Sequence, residues 1–315
     1  MFCFLIPLFI NHETIKNMRK IFFALLVIPL CSLFAQKPET IILDADTGDE
    51  VDDLYALVRA LVEPSWNITA LNATQWQASQ WAVDRTMEES HRLNQILLAY
   101  LEMGEKVKAL RGGAGRMYDW GDKAQHSAAA YGIIRQAHQM KDGEKLTVVV
   151  LGALTNVASA IYIEPAIESR LKVYWLGTSY DFEKELSRRI DFNAVMDIQA
   201  TEILLSSNVE MHIIPVNVAG QMVFDYDETR SRLKDQHPLA DYLLDRWYNH
   251  MDAGVYRRTI WDLSLIEAMI HPGLAEEVKV ASFQNKNVWM YRDIDEEAMI
   301  RDFFQTTQGF LKNAL

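Results

Sequence analysis

The chain has 315 residues, 50% hydrophobic and 23% charged, with 31 Lys and Arg set against 43 Asp and Glu for a net charge of −12. That much apolar material offsets chain entropy, so disorder of the bulk is excluded. A surface this acidic is repelled by phosphate backbones and anionic lipid, which argues against nucleic acid and against membrane adhesion.

Two apolar runs open the sequence. Met18-Arg19-Lys20, the apolar core Ile21 to Leu30 and the closing Leu33-Phe34-Ala35 read as a secretory signal cleaved after Ala35. Residues 1–17 then read as an upstream extension, with Met18 the start. A core of about ten to fourteen apolar residues is too short to span ~30 Å of hydrocarbon. The expectation is a leader over 1–35 and a single domain over 36–315, exported to the periplasm of a Gram-negative bacterium with no membrane attachment in the mature form. Cys3 and Cys31 leave with the leader. The remainder then has no disulfide, no thiolate nucleophile and no Cys-ligated zinc.

Short apolar runs alternate with longer amphipathic ones. Strands are expected at Thr40 to Leu43, Trp66 to Ala73, Val107 to Leu110, Leu146 to Leu151, Leu171 to Leu176 and Met211 to Val218. Helices are expected at Val51 to Val62, Arg85 to Met103, Ser127 to Met140, Asn156 to Ile163 and Ile198 to Ser206. The uncharged, β-branched Leu146 to Leu151 reads as a central strand covered on both faces. Beyond Val218 the chain reads as mostly helical, with short strands near 278–281 and 288–291 before a last helix. The fold class is therefore α/β, a mainly parallel sheet with helices on both faces and a helical C-terminal part.

Six acidic residues fall within ten positions: Asp44, Asp46, Asp49, Glu50, Asp52 and Asp53. They follow an apolar strand and precede a helix, and in open α/β sheets ligands sit outside the carboxyl ends of strands. Alternation aims Asp44 and Asp46 the same way, with the small Ala45 between them pointing oppositely. Helix capping explains Asp49 or Asp52 but not two carboxylates ending an apolar strand. A hard divalent cation, Ca²⁺ or Mg²⁺, is the natural neutraliser. An EF-hand fails, because counting from Asp44 puts Gly48 fifth and Tyr55 twelfth. Asp44-Ala45-Asp46-Thr47 begins like a haloacid-dehalogenase-type phosphatase, but Gly48 stands where Thr or Val belongs.

Asp44-Ala45-Asp46-Thr47-Gly48 followed by Asp52-Asp53-Leu54-Tyr55-Ala56-Leu57 resembles the inosine–uridine-preferring nucleoside hydrolase family, in the variant that reads Gly-x-Glu-x-Asp-Asp. Gly152-Ala153-Leu154-Thr155-Asn156-Val157-Ala158 resembles the family's Gly-x-Leu-Thr-Asn-x-Ala turn; by itself it is only a strand-to-helix turn with Thr155 as cap. Asp191-Phe192-Asn193 with Asp197 resembles Glu-Phe-Asn-x-x-x-Asp, and Ile260-Trp261-Asp262 resembles the late metal segment.

The resemblance implies Ca²⁺-dependent hydrolysis of the N-glycosidic bond of ribonucleosides, giving free base and ribose. It implies a metal held by Asp46, Asp53, Asp262 and the Leu151 carbonyl, with Asp46 also the general base. Asp52, Asn72, Asn193 and Asp191, the last a shortened Glu, would hold the sugar; Asp44 would support the loop from behind. Trp261 stands where several members carry a His, so leaving-group activation falls to an aromatic stack (Trp261, Trp76, Tyr256 or Trp247) or to His250 or His126. Residues 177–190 lack the family's Gly-Asn-x-Thr-Pro lead-in, and Glu185 is left unassigned. The family also implies a dimer or tetramer. The alternatives are a Mg²⁺-dependent phosphatase and a non-catalytic, Ca²⁺-dependent sugar-binding or nucleoside-binding protein.

Overall fold

A computed structural model describes residues 38–117, 124–251 and 255–313. The expected leader lies outside them. The strands are β1 (Glu39–Ala45), β2 (Trp66–Ala73), β3 (Lys108–Leu110), β4 (Leu146–Val150), β5 (Leu171–Leu176), β6 (Ser179–Asp181), β7 (Leu186–Arg188), β8 (Glu210–Ile214), β9 (Val223–Asp225), β10 (Arg257–Thr259), β11 (Ala275–Val280) and β12 (Val288–Ile294). Eight of them form one sheet in the order β11-β12-β8-β5-β4-β1-β2-β3, parallel throughout except for β11 on β12.

Period-two alternation sends side chains to two separate cores. Ile41, Leu43 and Val149 pack under helices Asp52–Leu61, Trp261–Ile270 and Glu296–Asn313. Ile42, Val148, Val150 and Trp175 pack under Ala128–Gln139, Thr155–Ile163 and Ile198–Ser206. Every residue of β4 is buried, as a doubly covered strand requires. No helix among the described residues is long and apolar enough to cross a membrane.

From β1 the chain steps outward through β2 and β3, then crosses back so that β4 lies on the other flank of β1. That reversal opens a crevice at the carboxyl ends of β1 and β4, the switch point of an open α/β sheet. Asp46 and Leu151 are the residues that leave those two strands.

Three expectations are corrected. The strand expected over Met211 to Val218 stops at Ile214, because Pro215 has no N–H for the ladder; the helix Val216–Ala219 follows instead. Within 177–190, β6 and β7 pair as an antiparallel hairpin, with Glu185 at φ 50° in its turn. Thr155 is not the helix cap: Leu154 holds that position without a side-chain bond, and the Thr155 hydroxyl donates to Asp197 Oδ2 (2.8 Å).

Candidate active site

A cavity of about 270 Å³ opens at the switch point. Asp46, Asp49 and Glu50 reach it from the loop after β1, Asp52 and Asp53 from the first turn of Asp52–Leu61, and Asp262 from the first turn of Trp261–Ile270. Leu151, Leu176, Asp191, Phe192, Asn193, Val216 and Trp261 complete the wall. Seven carboxylates thus share the lining with the apolar Leu151, Leu176, Phe192, Val216 and Trp261.

Carboxylate oxygens of Asp52, Asp53 and Asp262 lie within 4.8 Å of one another, all three residues buried. Asp46 is 3% exposed. Burial first, then the charges of Asp49 and Asp52, hold its carboxyl well above the usual range. Burial also dominates the upward shifts of Asp53, Asp262 and Asp52, the last to about 8, with repulsion from neighbouring carboxylates, Glu50 first for Asp52, adding to each. Asp46 Oδ2, Asp53 Oδ1 and Asp262 Oδ1 are buried without a hydrogen-bond partner. The Asp52, Asp53 and Asp262 oxygens are a donor set for a hard divalent cation, while Asp46 lines the same cavity but stands outside that cluster.

The turn after β4 helps set the position of Asp46. A Cβ on Gly152 would stand 2.7 Å from Asp46 Cγ, so the turn after β4 approaches the carboxylate as only glycine allows. Gly152→Ala is expected to leave the fold intact by circular dichroism yet lower kcat/KM by about 10²-fold, because the carboxylate must move aside. Turnover equal to wild type in that variant would show that Asp46 tolerates displacement.

Asp44 lies behind the cavity, fully buried. Its carboxylate accepts from Asn72 Nδ2 (3.0 Å), Asn156 Nδ2 (3.0 Å) and the Thr74 hydroxyl. Burial raises its pKa and those three donors oppose the rise. Asn72, expected to hold the sugar, is fully buried, does not line the cavity and donates to Asp44. Asn156 and Thr74 are the supports that the sequence reading missed; Asn156 stood inside the quoted Leu-Thr-Asn turn, but nothing local linked it to Asp44.

The other expected residues do reach the cavity. Asn193 spends both amide hydrogens on the Leu151 and Leu176 carbonyls, at 2.7 and 2.9 Å. The Leu151 carbonyl therefore keeps one lone pair for another partner. Asp191 caps Phe192–Met196 by accepting from Ala194 N (3.2 Å) and also accepts from Thr178 N; burial pushes it up to about 6. Trp261 is half-buried and packs its ring over Gly220. Asp52, expected to hold sugar, sits in the same cluster as Asp53 and Asp262.

Among the aromatic candidates, only Trp261 lines the cavity. The indole N–H groups of Trp76 and Trp247 donate to Ser90 Oγ and the Val255 carbonyl, Tyr256 is exposed, and His126 packs on Tyr131 at the surface. His250 is buried, its Nε2–H donating to the Asp49 carbonyl (2.8 Å).

With the geometry in view, the relatives identify the class. A profile described as inosine-uridine preferring nucleoside hydrolase matches residues 41–301. A probable uridine nucleosidase 1 of Oryza sativa subsp. japonica is 23% identical over 262 residues, covering 74% of this chain and 77% of that protein. The purine-preferring ribonucleoside hydrolase of Gardnerella vaginalis superposes with TM-score 0.67 at 19% identity, over 87% of this chain and 100% of that one. The type III effector protein XopQ complexed with adenosine diphosphate ribose superposes with TM-score 0.65 at 12% identity, over 91% and 98%. The chain belongs to the inosine–uridine preferring nucleoside hydrolase family. It is an enzyme that hydrolyses the N-glycosidic bond of nucleosides, and the phosphatase reading is set aside.

Proposed function

We propose a Ca²⁺-dependent ribonucleoside hydrolase that acts on neutral nucleosides. The observation that carries this reading is the lining of the cavity, which combines orphaned buried carboxylate oxygens with the aromatic side chains of Trp261 and Phe192. Asp46, Asp53, Asp262 and the Leu151 carbonyl would hold the cation, with Asp52 beside them. When bound, the cation supplies Lewis-acid polarisation at the sugar hydroxyls and at the attacking water.

Loss of the base leaves an oxocarbenium-like sugar, and the bank of carboxylates stabilises that positive charge. Asp46 Oδ2 takes a proton from the attacking water. Asn193 and Asp191 border the sugar, while Trp261 and Phe192 stack on the base and exclude water from it. Asp44, held by Asn72, Asn156 and Thr74, keeps the loop carrying Asp46 in place.

No Lys, Arg or His is among the lining residues, whereas seven carboxylates are. A phosphate or diphosphate would enter against that field, so ligands such as adenosine diphosphate ribose are disfavoured. The protein incubated with Ca²⁺ and a panel of nucleosides, nucleoside 5′-phosphates and p-nitrophenyl phosphate should release base and reducing sugar from nucleosides only. Phosphate release would support the phosphatase, and tight nucleoside binding without turnover would support a sugar-binding protein.

A further inference from the structure

The helices that deliver the cavity carboxylates are joined below the cavity by a buried ion pair. Arg59 follows Asp52 by seven residues on helix Asp52–Leu61, hence on the same face two turns further down. Glu267 follows Asp262 by five residues on helix Trp261–Ile270. Arg59 Nε stands 3.1 Å from Glu267 Oε1, with side chains 2% and 0% exposed. Neither residue lines the cavity. Nη1 donates to Glu63 (3.0 Å), two residues past the end of the same helix, and Nε and Nη2 both donate to Asp302 Oδ2 (3.1 and 2.8 Å) on the C-terminal helix, so Arg59 faces Glu267 as a charge and neither Glu267 oxygen accepts a hydrogen bond. His271 Nε2 stands 3.2 Å from Asp302 and 3.9 Å from Glu267.

The two helices run the same way, with their acidic first turns together at the cavity. Like charges there push the tips apart, and the opposite charges of Arg59 and Glu267 draw the shafts together roughly 7–11 Å further down. A buried pair adds little net stability over an apolar pair of equal volume. What a pair can add is register: a slide of one helix along the other breaks the ion pair, whereas an apolar contact tolerates it.

We propose that Arg59 and Glu267 are a positioning pair, fixing the relative register of two helices so that Asp53 and Asp262 converge on one cation. The inference rests on the cation reading of the cavity. Tb³⁺, a luminescent Ca²⁺ mimic excited through Trp261, reads binding to the full chain without turnover. Glu267→Gln and the double variant Arg59→Met with Glu267→Met are expected to stay folded and to bind Tb³⁺ about 10-fold or more weakly. Arg59→Lys should recover part of that loss. Asp302→Asn removes an Arg59 partner outside the two tip-bearing helices, and should lower the urea midpoint while leaving Tb³⁺ affinity unchanged.

A folded double variant that binds Tb³⁺ within about twofold of wild type would overturn the positioning role and leave the cation site standing. Asp302→Asn weakening Tb³⁺ as much as Glu267→Gln would also overturn it, since the effect would then be general loosening. Wild-type protein that binds no Tb³⁺ removes the cation reading, and this inference with it.

Discussion

Asp46→Asn is expected to lower kcat/KM for nucleoside hydrolysis about 10³–10⁴-fold, with a native circular dichroism spectrum. Asparagine keeps the shape of the side chain but cannot accept a proton, so the water loses its base. It also loses an anionic oxygen facing the cluster. Asp46 Oδ2 has no hydrogen-bond partner, so little structural cost follows. Burial and the charges of Asp49 and Asp52 disfavour its ionised form, and the neutral amide removes that conflict. The variant should therefore unfold at a higher temperature than wild type in the absence of divalent cation. Asp44→Asn offers the contrast: three donors converge on that carboxylate, and an amide turned toward them leaves a buried N–H unmatched. It should lose stability first, and activity as a consequence. Nucleoside turnover above about a tenth of wild type in Asp46→Asn would remove the base assignment.

The strand–helix alternation was legible because this sheet is built from short apolar runs. Thr40 to Leu43, Trp66 to Ala73 and Leu146 to Leu151 each carry a period-two or fully buried pattern that a helix would not need. The segment expected as strand beyond Ile214 is apolar too, and there the missing N–H of Pro215 outweighed hydropathy. The hairpin of β6 and β7 was hidden because its residues are mostly polar and partly exposed, so its pairing rather than its pattern makes it. At the site, residues next to strand ends were readable: Asp46 and Leu151 stand where open sheets bind ligands. Asp262 was reached through family resemblance, since 209 positions separate it from Asp53 and no local pattern spans that distance. The misplacement of Asn72 has a plain cause. A side chain at the carboxyl end of β2 can face the crevice or the neighbouring strand, and register sets Asn72 directly opposite Asp44. Arg59 carries no local signal in the sequence. Its role depends on Glu267 and Asp302, which lie more than 200 residues away.

Ca²⁺ is expected to raise the unfolding temperature strongly near pH 8 and weakly near pH 5. The sign follows from the carboxyls around the cavity. Burial lifts Asp49 to about 7 and Asp52 to about 8 from an ordinary 3.8, and holds Asp46, Asp53 and Asp262 well above that value too. When the folded-state pKa is the higher one, the folded protein binds more protons between the two values. Stability without cation therefore falls as pH rises from about 4 to about 8, where the folded state must ionise the cluster. A divalent cation replaces the missing protons, and its affinity rises as they leave. At a concentration ~100 times Kd the stabilisation is about 2.7 kcal/mol, or roughly 5–10 °C for a chain of this size. Near pH 5 protons already occupy the site, and the same Ca²⁺ should shift the transition by less than half as much. Removing the cation with a chelator near pH 8 should abolish nucleoside hydrolysis and return the transition to its lower value, both reversed by adding Ca²⁺ back. Thermal scans at the two pH values, with Ca²⁺ and with chelator, measure the difference directly. Equal shifts at both would mean that cation and protons do not compete for the same oxygens, and that Asp46, Asp53 and Asp262 do not form the binding site.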